Sequence, residues 1–336
     1  MSAAASREGP VLVTGGTGFI GSYVTRALLE TGRRVVAYDV RGLTAESRFV
    51  LGELADELEV EEGSVDDWVR LLHVVQERRP VDLVHLATIT NPVYLFTNPM
   101  PGVRVNFLGT VHVLEAARLF GVRRVVYASS IGVLPARQYE PIDASHPIFL
   151  AREAVPTGVY GASKIAGEAF CFAYNQAFGI DFRTIRPSAV YGFGMQWPIF
   201  VKPMVEGAVR GERVTFESGG PFPRDYTHAA DVASLVVACL DGPDDADRIF
   251  YGATGQPLVT AGEVARIVME LVPGSSIDIP DTLSEADQME LPYRGRLAID
   301  NARTQLGWEP RFKNVRDGLA DYVERYRAFL ASSGAP

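Results

Sequence analysis

The chain places Val11-Leu12-Val13-Thr14 directly before Gly15-Gly16-Thr17-Gly18-Phe19-Ile20-Gly21, and a helical pattern follows from Ser22 to Thr31. A glycine loop between a strand and a helix is the setting in which helix N–H groups face the phosphates of a dinucleotide. Glycines at these spacings permit a tight turn, close approach of the backbone to pyrophosphate and close helix packing. We therefore predict a dinucleotide-binding loop whose contact residues are Gly15, Gly18, Phe19, Ile20 and Gly21.

An acidic residue ends the next predicted strand, Arg34 to Asp39. Asp39 lies about twenty residues past the loop, where a carboxylate binds the adenosine ribose hydroxyls. A carboxylate there would repel a 2′-phosphate, so the sequence favours NAD over NADP, although the nearby Arg41 argues the other way. The alternative is that Asp39 is a turn residue at the end of the strand.

Strands and helices alternate through the first half of the chain. Further strands are predicted at 58–67, 81–87, 124–130 and 182–187, with helices at 68–78 and about 100–120. This alternation is typical of a Rossmann-type α/β fold with a doubly wound parallel sheet, where ligands bind beyond the carboxyl ends of the strands. The residues predicted at such ends are Gly15, Asp39, Ser64, Thr88 and Ser130.

The composition limits both domain organisation and partners. The 336 residues carry a net charge of −9 without a basic cluster, which argues against nucleic acid or an anionic membrane surface as partner. Apolar runs are too short for a spanning helix, and the five histidines lack metal-ligand spacing. We predict flexible tails at 1–10 and 331–336, a mainly NAD-binding part at 11–185 and a smaller α/β substrate cap at 186–330, interleaved with the sheet.

Two cysteines, Cys171 and Cys239, fall in apolar helical patterns. They are interpreted as buried free thiols of a reducing compartment rather than as a disulfide. The sequence therefore predicts a cytoplasmic protein.

Tyr160 and Lys164 lie four residues apart in Val159-Tyr160-Gly161-Ala162-Ser163-Lys164, ahead of a helical pattern. Residues at this spacing share one helix face, and an ammonium beside a phenol favours the phenolate. Lys164 should then lower the pKa of Tyr160 and make it a general base and acid. The alternative is a packed tyrosine and a solvated lysine.

The motifs together resemble the extended short-chain dehydrogenase/reductases of the NAD-dependent epimerase/dehydratase family, from about residue 11 to 330. The resemblance rests on Thr14 to Gly21, His85-Leu86-Ala87, Asn106 to Thr110, Ser129-Ser130, Tyr160 to Lys164, Arg224-Asp225-Tyr226 and Asp231-Val232-Ala233. It implies that Ser130 holds the reacting oxygen, Tyr160 moves the proton, and Lys164 holds the nicotinamide ribose. It also implies contacts to NAD from Ser64, Val65, Leu86, Ala87, Thr88, Asn106, Pro187 and Ser188, and to substrate from Thr90, Ser130, Tyr160, Ala189 and Arg224.

Departures from the family pattern bear on the substrate. Ser64 stands where an aspartate often contacts adenine, and Ile131-Gly132-Val133 lacks the acidic pair of the 4,6-dehydratases. Ala189 replaces an asparagine that seats the nucleotide diphosphate. Arg224 resembles the arginine that grips the diphosphate, the alternative being an ion pair with Asp225 or Asp231.

Two further segments carry expectations. Residues 194–213, with Trp197, Pro198, Phe200 and Pro203, are predicted to form a substrate lid, an aromatic core cluster being the alternative. His228 is predicted to be structural.

The resulting prediction is an NAD-dependent epimerase of a sugar or sugar nucleotide that oxidises a secondary alcohol transiently. The alternative is an NAD-dependent dehydrogenase of a small hydroxy compound, such as a sugar acid or hydroxy amino acid. A remote alternative is a non-catalytic NAD-sensing regulator. The family resemblance implies a homodimer in which the helix near Asn106 and the helix at 163–178 of each subunit form a four-helix bundle. The alternative is that these apolar faces are ordinary buried helix faces.

Overall fold

The computed structural model describes residues 9–149 and 158–333. The predictions for the tails fall mostly on 1–8 and 334–336, outside the described residues.

Thirteen strands are described. In chain order they are β1 Val11–Thr14, β2 Val35–Asp39, β3 Glu59–Glu62, β4 Asp82–His85, β5 Arg124–Ala128, β6 Asp181–Pro187, β7 Ala189–Tyr191, β8 Arg213–Thr215, β9 Pro223–Arg224, β10 Tyr226–His228, β11 Ile249–Gly252, β12 Val259–Thr260 and β13 Ser276–Asp278. Seven of them form one parallel sheet in the order β11-β6-β5-β4-β1-β2-β3. The predicted α/β fold with a doubly wound parallel sheet is confirmed.

The described helices are α1 Phe19–Glu30, α2 Ala45–Leu51, α3 Trp68–Arg78, α4 Pro92–Thr97, α5 Pro99–Gly102, α6 Gly109–Phe120, α7 Gly158–Phe178, α8 Val201–Val209, α9 Ala229–Asp241, α10 Ala261–Leu271, α11 Glu285–Glu290, α12 Asp300–Leu306 and α13 Val315–Ser333. Short 3₁₀ turns cover Gly52–Asp56, Ile131–Val133 and Leu291–Tyr293, and a π-helical turn at Val103–Leu108 joins α5 to α6. Among the described helices, none combines the length and apolar character needed to cross a membrane.

The alternation of side chains along the strands builds a core on each face of the sheet. Leu12 and Val36 pack with α3 and α6 on one face, whereas Val11, Val13 and Ala37 belong to the larger core on the other face. Successive residues of a strand point to opposite faces, so short apolar strands covered on both sides have almost no polar positions. This explains why β1 and β4 are buried at every position.

The register of the central strands aligns the carboxyl ends that carry the predicted site. Thr14 of β1 lies opposite Tyr38 of β2 and opposite His85 of β4. The loops after these three strands therefore leave the sheet side by side, at the edge where an open parallel sheet binds ligands.

The second half of the chain contributes to the main sheet and also forms smaller units. Strand β11 is the outermost strand beside β6, while β7 pairs with β10, β8 with β13 and β9 with β12. The substrate cap at 186–330 stays a prediction, with the qualification that 249–252 lies in the main sheet.

Two helices differ from their predicted boundaries. Helix α1 begins at Phe19 rather than Ser22, because Gly18 takes the N-cap position and the last glycine of the loop already belongs to the first turn. The predicted helix at 100–120 is interrupted by the π-helical turn that carries Asn106.

Candidate active site

The glycine loop is held in place by close backbone contacts. A Cβ on Gly15 would lie 2.8 Å from the backbone nitrogen of Ala87, and Gly15 has a φ of +73°. A Cβ on Gly21 would lie 2.0 Å from the carbonyl oxygen of Gly15. These positions require glycine, because the loop folds tightly against both the end of β4 and the first turn of α1.

The first turn of α1 is available to an anion. Gly18 is the N-cap, and no side chain of the described residues caps this turn. The leading N–H groups of a helix have no partner within the helix and attract negative charge. The residues present fit the pyrophosphate of a dinucleotide, for which Phe19 and Ile20 stay the proposed contacts.

Asp39 and its neighbours lie at the adenosine end of this loop. The Asp39 carboxylate accepts hydrogen bonds from the backbone N–H of Thr17 at 3.1 Å and of Val40 at 2.8 Å. The loop thereby ties the carboxylate to the end of β2, where it lies beside the predicted ribose position. Ser64 donates its hydroxyl to Asp66, and Val65 is buried beneath Gly109.

The loop after β4 is fixed by Asn106. Its side chain accepts a hydrogen bond from the backbone N–H of Ile89 at 2.7 Å and donates one to the Ile89 carbonyl at 3.0 Å. This bidentate contact positions the loop that carries Thr88 and Thr90. The buried Thr88 Oγ1 has no hydrogen-bond partner among the described residues, whereas Thr90 is exposed at the rim and stays a prediction as a substrate contact.

The predicted catalytic side chains converge at the ends of β5 and α7. The Tyr160 phenol forms a hydrogen bond with Ser130, whose Oγ also accepts from the backbone N–H of Gly132 at 3.0 Å. Lys164 Nζ donates to the carbonyl of Ala128 at 2.7 Å and lies 5.7 Å from the centroid of the Tyr160 ring. Serine, tyrosine and lysine are thus together at one point, which is the geometry that proton transfer at an alcohol carbon requires.

The electrostatics of this group differ from the prediction. Burial raises the pKa of Tyr160, and the hydrogen bond with Ser130 lowers it only in part. Burial also lowers the pKa of Lys164 to about 7, against the opposing charge of Glu168. The expected lowering of the Tyr160 pKa by Lys164 is not found: desolvation of the buried phenol is the largest influence on this pKa and raises it.

A buried polar chain beneath the site was missed from the sequence. His85 Nδ1 is 2.7 Å from Thr14 Oγ1, and its Nε2 is 3.0 Å from Thr110 Oγ1. Thr110 donates to the Asn106 carbonyl, so its oxygen is left to accept from the histidine, and the ring is neutral. Burial lowers the pKa of His85 to about 3. His85 therefore links β1, β4 and α6 as a structural group.

The side chain of Ser188 is engaged in a buried hydrogen-bonded cluster. Its hydroxyl donates to the Asp225 carboxylate at 2.8 Å and lies 2.8 Å from Thr227 Oγ1. Asp225 also accepts from the hydroxyl of Thr254 at 2.7 Å. This buried cluster fixes the segment Pro187–Ala189 against the loop after β11, so a cofactor contact from Ser188 would come from its backbone.

Ile131, the residue after Ser130, lines a cleft that also contains two arginines. Its lining includes Ile131, Leu134, Ala189, Arg224, Leu258, Tyr293 and Arg294. The guanidinium carbons of Arg224 and Arg294 lie 4.7 and 5.2 Å from the ring centroid of the buried Phe222. The ring of Phe222 holds the two guanidinium groups close together, an arrangement that favours a negatively charged group between them.

Arg224 does not pair with the partners considered from the sequence. Its Nη2 lies 3.9 Å from the carboxylate of Glu290, which also binds Arg294. Asp225 is saturated by hydroxyl groups, and Asp231 accepts from the backbone of Arg311 and Phe312. Arg294 was missed because it directly follows the 3₁₀ turn Leu291–Tyr293, in a segment without a motif of its own.

The segment predicted to form a lid is packed over only part of its length. Helix α8 buries Val201, Met204 and Val205, and Phe200 packs against Phe216 at 5.3 Å between ring centroids. Trp197 and Pro198 are exposed, and Gly194 and Gln196 line a small cleft together with Thr17, Gly18 and Phe19 of the glycine loop. None of the residues 194–213 lines the arginine cleft. The aromatic-core alternative describes Phe200 and α8, whereas a lid role for 194–213 stays a prediction.

Two smaller predictions concern His228 and the cysteines. His228 is buried, caps α9 by accepting from the N–H of Ala230 at 3.2 Å, and lies 3.4 Å from Asp321, which confirms a structural role. Cys171 and Cys239 are free and buried, as expected. Within residues 9–149 and 158–333, no group of three acidic, histidine or cysteine side chains is arranged to hold a metal.

A parallel α/β sheet with a glycine phosphate loop, an acidic β2 terminus and a serine–tyrosine–lysine group defines an extended short-chain dehydrogenase/reductase. Residues 11–251 match the NAD dependent epimerase/dehydratase family, and the chain belongs to that family. It is therefore an NAD-dependent enzyme, and a purely regulatory NAD sensor has no support.

Relatives and a solved structure agree along nearly the whole chain. A UDP-glucose 4-epimerase of Mycolicibacterium smegmatis is 30% identical over 323 residues, spanning 94% of this chain and 98% of that protein. A UDP-glucuronic acid decarboxylase of Arabidopsis thaliana is 28% identical over 338 residues, spanning 95% and 90%. The crystal structure of the Thermus thermophilus UDP-glucose 4-epimerase in complex with NAD has a TM-score of 0.75 at 25% identity, covering 95% of this chain and 99% of that one.

Proposed function

We propose that the protein is an NAD-dependent epimerase of a sugar nucleotide. The observation that carries the proposal is that Ser130, which is hydrogen-bonded to Tyr160, directly precedes Ile131, and Ile131 lines the same cleft as Arg224 and Arg294. Guanidinium groups bind phosphate oxygens with strong charge-assisted hydrogen bonds. A substrate with its diphosphate on these arginines would direct its sugar toward Tyr160.

Three residues would carry the proton chemistry at the sugar. Ser130 would hold the reacting oxygen, and Tyr160 would take the proton from the hydroxyl and return it. Lys164, when protonated, would stabilise the phenolate, because its amine already lies within reach of the ring. The bound NAD supplies the acceptor and donor of the hydride.

Epimerisation follows if the hydride returns to the opposite face of the oxidised carbon. The segment 131–133 after Ser130 has no acidic side chain that could assist elimination of water. The acidic residue in the cleft lining, Asp225, is engaged by the hydroxyl groups of Thr227 and Thr254. The two relatives described above are named as enzymes of UDP-sugars, which supports the substrate class.

A specific observation favours a second candidate, an NAD-dependent dehydrogenase of a small hydroxy compound. Ala189 lines the cleft where sugar-nucleotide enzymes have an asparagine, and Ile131, Leu134 and Leu258 make the walls apolar. A sugar acid or hydroxy amino acid could then place its carboxylate on the arginine pair.

The test begins with the cofactor. We expect the purified protein, once denatured, to release NAD in near-equal amount, because an epimerase regenerates its cofactor at each turnover. Incubation with UDP-glucose, UDP-galactose and UDP-glucuronate, followed by proton NMR, should then show one 4-epimer forming without net NADH. Tyr160→Phe should abolish the conversion while keeping bound NAD. Net NADH formation from a hydroxy acid, with no UDP-sugar converted, would favour the dehydrogenase.

We further propose a homodimer in the cytoplasm. Helix α7 contacts the π-helical turn before α6 through Phe107–Phe170, and it contacts α6 through Tyr174, whose phenol donates to Glu115. Their outward surface, named here the α6–α7 face, carries the exposed residues Leu108, Leu119, Ala162, Ala169, Ala173 and Ala177. Small and apolar side chains at helical spacing permit close packing against the same face of a second copy.

A further inference from the structure

The carboxylate of Glu290 contacts both Arg224 and Arg294, the two guanidinium groups proposed to bind the anionic part of the substrate. Its carboxylate accepts a hydrogen bond from Arg294 and lies 3.9 Å from Arg224 Nη2. The Nε atoms of both arginines are buried without hydrogen-bond partners among the described residues. The two guanidinium groups therefore retain unused donors, and the single acid between them covers only part of the site.

The charges at this point do not balance. Arg224 and Arg294 share the ring of Phe222, and burial lowers the pKa of Arg294, with the charge of Arg224 acting in the same direction. Among the described residues, Glu290 is the one carboxylate that forms an ion pair with these two guanidinium groups. A diphosphate carries two negative charges, so it would neutralise both arginines but repel Glu290.

The element that carries Glu290 is short and exposed. Helix α11 has six residues, and every one of them is at least partly exposed. Its N-terminus is fixed by a capping box between Ser284 and Asp287, whereas Glu290 at its C-terminal end is joined to the cleft only through the arginines. Withdrawal of this side chain would therefore disturb little of the core.

We infer that Glu290 is an affinity- and specificity-determining residue that competes with the anionic group of the substrate for Arg224 and Arg294. The inference rests on the proposed function. A diphosphate displaces the glutamate because it brings more charge to both arginines, whereas a single carboxylate only exchanges one carboxylate for another. Glu290 thus lowers the affinity for small hydroxy acids and also the affinity for the nucleotide product. Repulsion of the wrong ligand is a general way to obtain specificity.

The experiment measures binding by calorimetry with three probes: UDP, inorganic pyrophosphate and acetate. It compares the NAD-loaded wild type with Glu290→Gln and with Glu285→Gln. Glu285 lies on the same exposed helix, so its variant removes the same charge without a contact to the arginines. We expect Glu290→Gln to bind UDP and pyrophosphate about tenfold more tightly and Glu285→Gln to stay within about twofold of wild type.

The outcomes separate this inference from the proposed function. Equal or weaker binding of pyrophosphate by Glu290→Gln, or no binding by any protein, would overturn the role of Glu290. Tighter pyrophosphate binding with no affinity for UDP would keep that role and remove the nucleotide sugar. The gain in Glu290→Gln should shrink at high salt, since it is electrostatic, and a thermal melt should show that both variants fold as the wild type does.

Discussion

At the scale of single residues, the buried ammonium group of Lys164 destabilises the folded protein because it is desolvated. The amine is buried, with a pKa lowered to about 7 by desolvation, whereas an unfolded lysine titrates at about 10.4. Below pH 7 both states bind the proton, and the folded state bears the full cost of the buried charge. Between about 7 and 10 only the unfolded chain binds it, so this cost falls as pH rises.

Lys164→Met should therefore be more stable than the wild type near neutral pH in NAD-free protein, with the difference closing toward about pH 10. Thermal unfolding of both proteins across this range, from slightly acidic to alkaline pH, measures this directly, and shifts of other groups cancel in the comparison. Parallel curves over that range would mean that the lysine is not desolvated. Activity should be lost in the variant at every pH.

Alanine substitutions at two glycines of the phosphate loop should have different effects, one on stability and one on NAD binding. A Cβ on Gly21 would meet the Gly15 carbonyl oxygen at 2.0 Å, so Gly21→Ala should destabilise the NAD-free fold by about 1–3 kcal/mol. A Cβ on Gly18 meets that oxygen only at 3.3 Å and otherwise open space. Gly18→Ala should keep its melting temperature and lose NAD affinity. Calorimetric titration of NAD and thermal melts separate the two effects, and an unchanged melt for Gly21→Ala would contradict the crowding.

At the scale of elements, helix α7 is joined to the sheet by one buried ion pair. Arg186 of β6 donates two hydrogen bonds to Glu168, at 2.9 and 2.7 Å, and a third to Tyr251 at 3.2 Å. Glu168 lies one turn beyond Lys164, so this pair sets the position of the helix that carries both catalytic α7 residues. The sequence around Glu168 did not predict this ion pair, because pairing between charges in distant segments has no local sequence pattern.

Breaking this pair from one side should cost far more than removing it. Arg186→Met or Glu168→Leu alone leaves a buried charge without its partner, an effect of about 3–5 kcal/mol, whereas the double variant Glu168→Leu with Arg186→Met should lie much closer to wild type. Urea denaturation of the single and double variants gives the coupling. Glu30→Gln, which breaks the exposed Arg26–Glu30 pair, should cost under about 1 kcal/mol. Additive single effects would contradict a coupled pair.

At the scale of the whole molecule, the sequence predicted what local pattern encodes. Strand–loop–helix order, the acidic end of β2 and the Tyr160–Lys164 spacing are local, and the fold that they imply is confirmed. Arg294 and Glu290 meet Arg224 from a segment far away in the chain, so no local pattern marks them. His85 belongs to a quoted motif, but its contacts with Thr14 and Thr110 depend on the fold. The pKa of Tyr160 was predicted in the wrong direction for the same reason: spacing gives the neighbour but not the burial.

The α6–α7 face provides a prediction about assembly. Exposed alanines at 162, 169 and 173 leave a shallow surface that a second α7 can approach closely, and the exposed Leu108 adds apolar area beside them. Light scattering after gel filtration should give twice the mass of one chain.

Ala173→Arg should shift the protein to monomer, because a long cation replaces a methyl group at the centre of the α6–α7 face. Ala328→Arg, on the exposed side of α13, makes the same change elsewhere and should leave the dimer intact. A monomeric wild type would remove the dimer, and a dimeric Ala173→Arg would place its interface on another surface. Since Tyr160 and Lys164 lie on α7 itself, the monomeric variant should also lose turnover while retaining NAD.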